Sequence, residues 1–232
     1  METAIRPKTV LEVIALSVAD AIAAERGGVD RLELVSAIEV GGLTPALDVF
    51  TAIRAATRLP LRVMLRTNGG YGIAADELAA LCADAAALRR AGAESFVCGF
   101  LTAAGTIDRD AMAAMLAAIG PCSWTFHRAF DHAIDTEAAW ATVIELGADL
   151  ILSSGVGADL PAGVPALCAR AGWQTDRLRW LVGGGLTLDQ VPTLRAAGIA
   201  QFHAGRAVRV GGSWDAPIDA KAVRVMREAI GG

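Results

Sequence analysis

A short pattern recurs four times along this chain: an Ala- and Leu-rich stretch ends in glycine, and a turn and an apolar run follow. The four glycines are Gly28, Gly92, Gly147 and Gly198. Glycine accepts the left-handed conformation that ends many helices, so each copy predicts a helix, a turn and a strand. Successive copies are about 50 to 65 residues apart, whereas one strand–helix unit takes about 30 residues. Each interval therefore has room for a second strand and a second helix.

Eight apolar segments supply the strands that this repeat requires. Four follow the glycines, and the others lie at Val10–Ile14, Leu61–Leu65, Ser123–Phe126 and Trp180–Val182. Amphipathic stretches alternate with them, and two of these are predicted as helices that begin near Thr44-Pro45 and at Pro165. Strict alternation predicts a closed (β/α)8 barrel, with residues 1–232 as a single domain. An open doubly wound sheet is the alternative, but no G-x-G-x-x-G motif follows the first strand.

Composition argues against several kinds of partner. The net charge is −4 and there are only two lysines, so a basic nucleic-acid-binding face is not expected. The first residues do not read as a signal peptide, and no stretch has the ~18 apolar residues of a membrane helix. The four scattered cysteines are expected to be reduced thiols. We therefore expect a cytoplasmic protein with neither nucleic-acid nor membrane partners.

Charged residues stand within or directly after several predicted strands. In a barrel of this type the carboxyl ends of the strands share one rim, where catalytic groups meet. Histidine can move protons near neutral pH, and a guanidinium can hold an anion. The alternative is that the strand carboxylates only form internal ion pairs with Arg62 or Arg66. The candidate catalytic residues are Glu12, Glu33, Arg66, His127, Arg128 and Asp131.

The last three strands end in small residues that suit an anion. Loops after strands seven and eight commonly hold phosphate, because bare backbone N–H groups point at the ligand. His203 is expected to be a packed core residue, and no metal ligands are assigned. Cys98 is the one cysteine expected close to the mouth of the barrel. The candidate anion-binding residues are Ser154, Gly155, Gly184, Gly185, Gly205 and Arg206.

Two strings at a characteristic separation, Gly41-Gly42-Leu43-Thr44-Pro45 and Thr125-Phe126-His127-Arg128-Ala129-Phe130-Asp131, carry a family resemblance. With them the chain resembles the CutC copper-homeostasis family over most of its length. The resemblance implies a cytoplasmic TIM-type barrel, often a homodimer, linked to copper tolerance and proposed to bind Cu(I). Family members commonly carry cysteine just after the first two strand carboxylates, where this chain has Ile14 and Val35. Direct Cu(I) binding through those positions is therefore not expected.

Three functions remain open at this point. The first is copper handling, as the resemblance implies, with Cu(I) as its possible ligand and no other cofactor. The second is a metal-independent isomerase, epimerase or lyase that acts on a small phosphorylated or carboxylated metabolite. A Schiff-base mechanism is not expected, because neither Lys8 nor Lys221 lies on a strand. The third is a scaffold without catalysis.

Overall fold

Parallel strands close into a barrel in which every strand pairs with its neighbours in sequence and the last pairs with the first. The computed structural model describes residues 8–157 and 159–231, and the N-terminal residues examined for a signal peptide lie outside these ranges. The predicted (β/α)8 barrel is confirmed. Its strands are β1 Val10–Ala15, β2 Arg31–Leu34, β3 Leu61–Met64, β4 Ser95–Cys98, β5 Ser123–Phe126, β6 Leu150–Ser153, β7 Arg179–Val182 and β8 Gln201–Ala204.

A layer of helices surrounds the barrel. All four glycines of the repeat follow a helix with positive φ, at 89° for Gly28, 99° for Gly92, 82° for Gly147 and 92° for Gly198. Within the described ranges no helix is both long and apolar enough to cross a membrane. The helices are α1 Val18–Gly27, α2 Leu47–Ala56, α3 Ala75–Arg90, α4 Arg109–Ile119, α5 Thr136–Leu146, α6 Leu160–Arg170, α7 Val191–Ala196 and α8 Ala220–Ala229.

Two predicted helix starts are wrong. Helix α6 begins at Leu160 rather than Pro165, because the Asp159 side chain accepts the N–H of Ala162 and caps an earlier turn. Helix α2 begins at Leu47, beyond Thr44-Pro45. The Thr44 hydroxyl is used elsewhere: it accepts the N–H of Arg66 at 2.9 Å and donates to the carbonyl of Arg66 at 3.1 Å.

Alternate strand residues face the helix layer or the interior of the barrel. Leu11 and Val13 of β1 join the outer core, while Glu12 between them faces inward. The strand register sets Glu12 beside His203 of β8, and Glu33 beside Arg62 of β3. The barrel interior is therefore partly ionic, as the two strand carboxylates predicted.

The amino-terminal end of the barrel is filled. Arg62 is buried and donates to the Thr125 hydroxyl at 2.6 Å, and it pairs with the Asp149 carboxylate. Beside them, on β6 and β7, lies a small apolar cluster of Leu150, Leu152 and Leu181. This packing leaves the carboxyl end of the strands as the place for a cavity.

Candidate functional site

A cavity of about 990 Å³ lies at the carboxyl ends of the strands. Its deep part is formed by strand residues, among them Ile14, Glu33, Met64 and His203, and its walls are formed by the loops that follow the strands. The topology thus brings together groups far apart in sequence. The predicted site residues that line the cavity are Glu33, Arg66, His127, Arg128, Gly184, Gly185, Gly205 and Arg206.

Glu12 lies beneath the cavity and does not line it. Its carboxylate is fully buried, pairs with the Arg31 guanidinium, and contacts His203 Nδ1 at 2.8 Å. Burial alone would raise the pKa of Glu12, but Arg31 and His203 together hold that pKa well below its usual range. Glu12 is therefore a fixed anion at neutral pH, and its ion pair is with Arg31 rather than with Arg62 or Arg66.

Glu33 is the carboxylate that faces the cavity. It is 2% exposed, Oε2 lies 3.6 Å from His203 Nε2, and among the described residues nothing bonds to Oε1. Burial raises the pKa of Glu33 to about 7, against the attraction of His203. The repulsion of the Glu12 carboxylate adds to the rise, while Arg31 and Arg62 oppose it. A carboxyl group in this state can take up or release a proton near neutral pH.

The surroundings of His127 suit a neutral hydrogen-bond donor, and the proton-carrying role that its sequence context suggested stays a prediction. Its Nδ1 accepts the N–H of Ala129 at 3.2 Å, so the ring proton is on Nε2. Within the described chain Nε2 has no partner, and the ring is buried. Burial and the nearby Arg66 charge lower the pKa of His127 to about 3. The imidazole therefore presents an unused N–H at the cavity wall.

Asp131 and Ser154 lie behind Arg128 and hold it in place. The Asp131 carboxylate accepts the Ser154 N–H at 2.8 Å and the Ser153 hydroxyl at 2.5 Å, and it pairs with Arg128 at 3.3 Å. Arg128 also donates to the Ser154 hydroxyl at 2.9 Å. Asp131, Ser154 and Gly155 do not line the cavity. Asp131 and Ser154 support Arg128, which does.

Arg66 lines the cavity, but its guanidinium is bonded to backbone carbonyls. It donates to Gly69 at 2.6 Å, to Gly41 at 3.2 Å and, through Nε, to Gly70 at 3.2 Å. These carbonyls belong to the loops after β2 and β3. Both loops direct their carbonyl oxygens at the same guanidinium, so Arg66 joins the two loops, and its anion-holding role stays a prediction.

The loops of the predicted anion seat carry backbone N–H groups that have no acceptor among the described residues. Gly184 and Gly185 have φ of 87° and 107°, in the loop after β7. No acceptor within the described ranges is bonded to the N–H groups of Gly184, Gly185, Gly205 or Arg206. The side chain of Arg206 is exposed at the same wall. Two loops therefore present free donors and one cation to the cavity.

Two aromatic wall residues were not expected from the sequence. The Tyr71 ring lies 5.5 Å from the His127 ring and 5.0 Å from the Arg66 guanidinium carbon. Tyr71 is the one tyrosine of the chain and directly follows Gly69-Gly70. This sequence position could have indicated that it belongs to the site. Trp214 lies on the long connection between β8 and α8, and no sequence pattern indicates its place.

The donor set does not suit a Cu(I) site, which prefers thiolate and thioether ligands. Cys98 faces the outer core rather than the mouth as expected, and burial holds the pKa of its thiol far above its usual range. Among the described residues that line the cavity, Met64 is the one that carries sulfur. In the described part of the chain, no group of three or more His, Cys, Asp or Glu residues could hold a metal ion. Ile14 and Val35, where the resemblance implies cysteines, lie within one apolar cluster.

Comparison with known proteins settles the family. The family model described as "CutC family" matches residues 9–208. The chain belongs to the CutC family. A family protein CutC from Klebsiella pneumoniae (strain 342) is 38% identical over 195 residues, which is 84% of this chain and 78% of that protein. The Homo sapiens protein named copper homeostasis protein cutC homolog is 35% identical over 197 residues, or 83% and 71%.

Solved structures agree with the fold of this CutC family member. The copper homeostasis protein CutC from Streptococcus agalactiae superposes with a TM-score of 0.79 at 25% identity, over 85% of this chain and 98% of that one. Orotidine 5'-phosphate decarboxylase from Pyrococcus horikoshii superposes with a TM-score of 0.62 at 15% identity, covering 95% and 99%. The second likeness concerns the barrel architecture alone.

Proposed function

We propose that this CutC family member binds a small phosphorylated or carboxylated metabolite in the barrel cavity and catalyses proton transfer on it without a metal ion. The observation that carries the proposal is the free Oε1 of Glu33, which is buried in a cavity that also has a seat for an anion. Buried polar groups without partners are rare and point to a ligand or a catalytic role. Isomerisation, epimerisation and lyase chemistry all fit such a group.

The anionic part of the ligand is assigned to the loops after β7 and β8. Free backbone N–H groups at Gly184, Gly185, Gly205 and Arg206 give directional donors, and the Arg206 side chain adds positive charge. Charge-assisted hydrogen bonds of this kind are about twice as strong as neutral ones. Anchoring of a remote phosphate would place the reacting carbon atoms deeper in the cavity, near Glu33.

The charge that develops during proton transfer has two donors available. The His127 N–H is neutral and unpartnered, so it can bond to a forming oxyanion without giving up its proton. Arg128 reaches the same cavity from the Asp131 and Ser154 network, which limits its motion. These donors stabilise negative charge, while Glu33 accepts or supplies the proton. This division of roles gives a function to both His127 and Arg128, which the end of β5 brings to the cavity.

Arg206→Gln is expected to weaken the binding of 2-phosphoglycolate, a small probe with a phosphate and a carboxylate group, by about tenfold, because one charge-assisted contact is lost. Isothermal titration calorimetry measures the change. Arg177→Gln is the matched control, since Arg177 is an exposed arginine before β7, at the opposite end of the barrel. Absence of saturable binding of 2-phosphoglycolate or inorganic phosphate, or equal weakening in both variants, would refute the anion seat.

In a competition titration, the fully reduced protein is expected not to remove Cu(I) from a chromogenic chelator, because the cavity offers no thiolate. The double substitution Ile14→Cys with Val35→Cys restores the thiols that the family commonly carries there. This variant is expected to draw Cu(I) from the same chelator. Stoichiometric Cu(I) uptake by the unaltered chain would instead assign it direct copper binding.

A further inference from the structure

We propose that His203, expected from sequence to be a plain core residue, is the second proton carrier of the site. With Glu33 it forms an acid–base pair for substrates in which a hydroxyl-bearing carbon adjoins a carbonyl. The inference rests on the proposed function and names its substrate class and partner group. Both side chains line the deep part of the cavity, and both are almost completely buried.

Glu12 fixes the orientation of the His203 ring. Its carboxylate is ionised beside Arg31 and lies 2.8 Å from His203 Nδ1. A carboxylate accepts only, so Nδ1 carries a proton and donates it to Glu12. Nε2 therefore faces Glu33 Oε2 at 3.6 Å, which leaves the catalytic face of the imidazole toward the cavity.

Glu33 and His203 share one proton. The Glu12 anion is balanced by Arg31, so the remaining pair is either a carboxylate with an imidazolium or a carboxylic acid with a neutral imidazole. Burial alone would lower the pKa of His203, but the Glu33 and Glu12 carboxylates raise it above its usual value. Groups that face Glu33 come from every neighbouring strand, namely Glu12 of β1, Arg31 of β2, Arg62 of β3 and His203 of β8.

The shared proton allows a balanced reaction. The Glu33 carboxylate takes the proton from the carbon beside the carbonyl, and the electron pair of that C–H bond becomes the new C=C bond. The carbonyl π electrons move to oxygen, which takes the Nε2 proton of His203. The product is an enediol. Glu33 then gives its proton to the other carbon, or to the other face of the first carbon, while His203 Nε2 takes the proton of the enediol hydroxyl that becomes the new carbonyl, and the isomer or epimer results. No oxidant, reductant or metal ion enters the sequence.

Gly183 packs closely against the His203 side chain. A Cβ at this position would lie 2.8 Å from both Cβ and Cδ2 of His203. Because the φ of Gly183 is not positive, Gly183→Ala meets no backbone strain and acts through contact with the ring. This variant moves His203 while every ionisable group remains present. Gly172→Ala is its control, because a Cβ at Gly172 would meet no atom within 4 Å.

The test is calorimetry of 2-phosphoglycolate binding at pH 8 in two buffers of different ionisation enthalpy. The carboxylate of this probe stands in for the enediolate, so its approach to Glu33 is expected to draw about one proton per site from the buffer. Proton uptake is expected to vanish in Glu33→Gln and in His203→Gln, and to fall in Gly183→Ala but not in Gly172→Ala. Circular dichroism verifies the fold of each variant.

The outcomes separate the two proposals. Binding without proton uptake, or uptake that survives in both His203→Gln and Gly183→Ala, overturns the acid–base pair and leaves metabolite binding intact. No binding of the probe overturns both. A second readout is independent of ligand: in an NMR titration of the imidazole C–H signals, Glu33→Gln is expected to lower the pKa of His203. An unchanged His203 titration would contradict the shared proton.

Discussion

Glu12→Gln is expected to lower the free energy of unfolding by about 3–5 kcal/mol, the usual cost of leaving one partner of a buried ion pair uncompensated. Glu12 is fully buried, and its carboxylate is the ionic partner of Arg31. Glutamine keeps the shape but not the charge, so the guanidinium loses its counter-ion in the barrel interior. Urea unfolding at pH 8, followed by circular dichroism, measures the loss.

Glu33→Gln is the matched control, because it removes a second buried carboxylate from the same interior. Among the described residues Glu33 forms no salt bridge with an arginine, and burial raises its pKa from 4.5 to about 7. Between these values the native state binds more protons than the unfolded state, so the contribution of Glu33 to stability falls as pH rises through 7. Glu33→Gln is therefore expected to leave the free energy of unfolding unchanged at pH 5 and to raise it at pH 8. Equal losses in the two variants would show that charge pairing is not the cause.

Gly163→Ala is expected to destabilise the protein by about 3 kcal/mol, at the upper end of the range for overpacking. For a domain of this size that corresponds to a melting temperature about 6–12 °C lower. Gly163 lies inside α6, where alanine would normally gain about 0.5–1 kcal/mol over glycine. Here a Cβ would stand 1.6 Å from the Ser154 carbonyl oxygen, so the steric cost exceeds the gain in helix propensity.

The same substitution is expected to disturb the cavity wall. Ser154 bonds to both Asp131 and Arg128, so displacement of its backbone loosens the guanidinium. Scanning calorimetry gives the stability change, and 2-phosphoglycolate titration gives the effect on binding. Gly172→Ala, in open space, is expected to change neither. If Gly163→Ala proved as stable as the unaltered chain, the tight contact between α6 and the loop after β6 would be wrong.

The fold could be predicted because its determinants are local. Each glycine after a helix must take positive φ, and each apolar run has the length of a strand, so the repeat alone specifies the alternation. The interior position of Glu12 followed from the two-residue period of a strand. Helix starts were less accurate, since Thr44 could cap α2 or bond Arg66, and only the path of the loop decides between them.

The site was predicted as a set of residues but not as a set of roles. Closure of the barrel brings Glu33, His127 and Arg128 to one rim regardless of detail. The hydrogen-bond partners of each group depend on the conformation of the loops, which cannot be predicted from the spacing of residues in the sequence. Arg66 meets carbonyls from two such loops, and the ring proton of His127 is set by the Ala129 N–H. The proposed role of His203 depends on Glu12, which lies 191 positions away in the sequence.

The plugged amino-terminal end of the barrel has a kinetic consequence. Among the described residues, Arg62 and Thr125 fill the amino-terminal part of the barrel interior, so a ligand is expected to enter and leave the cavity at the carboxyl-end rim. Under the proposed function, a product would leave through the same rim by which its precursor entered. Accumulated product that still fits the cavity is therefore expected to compete with the substrate for entry.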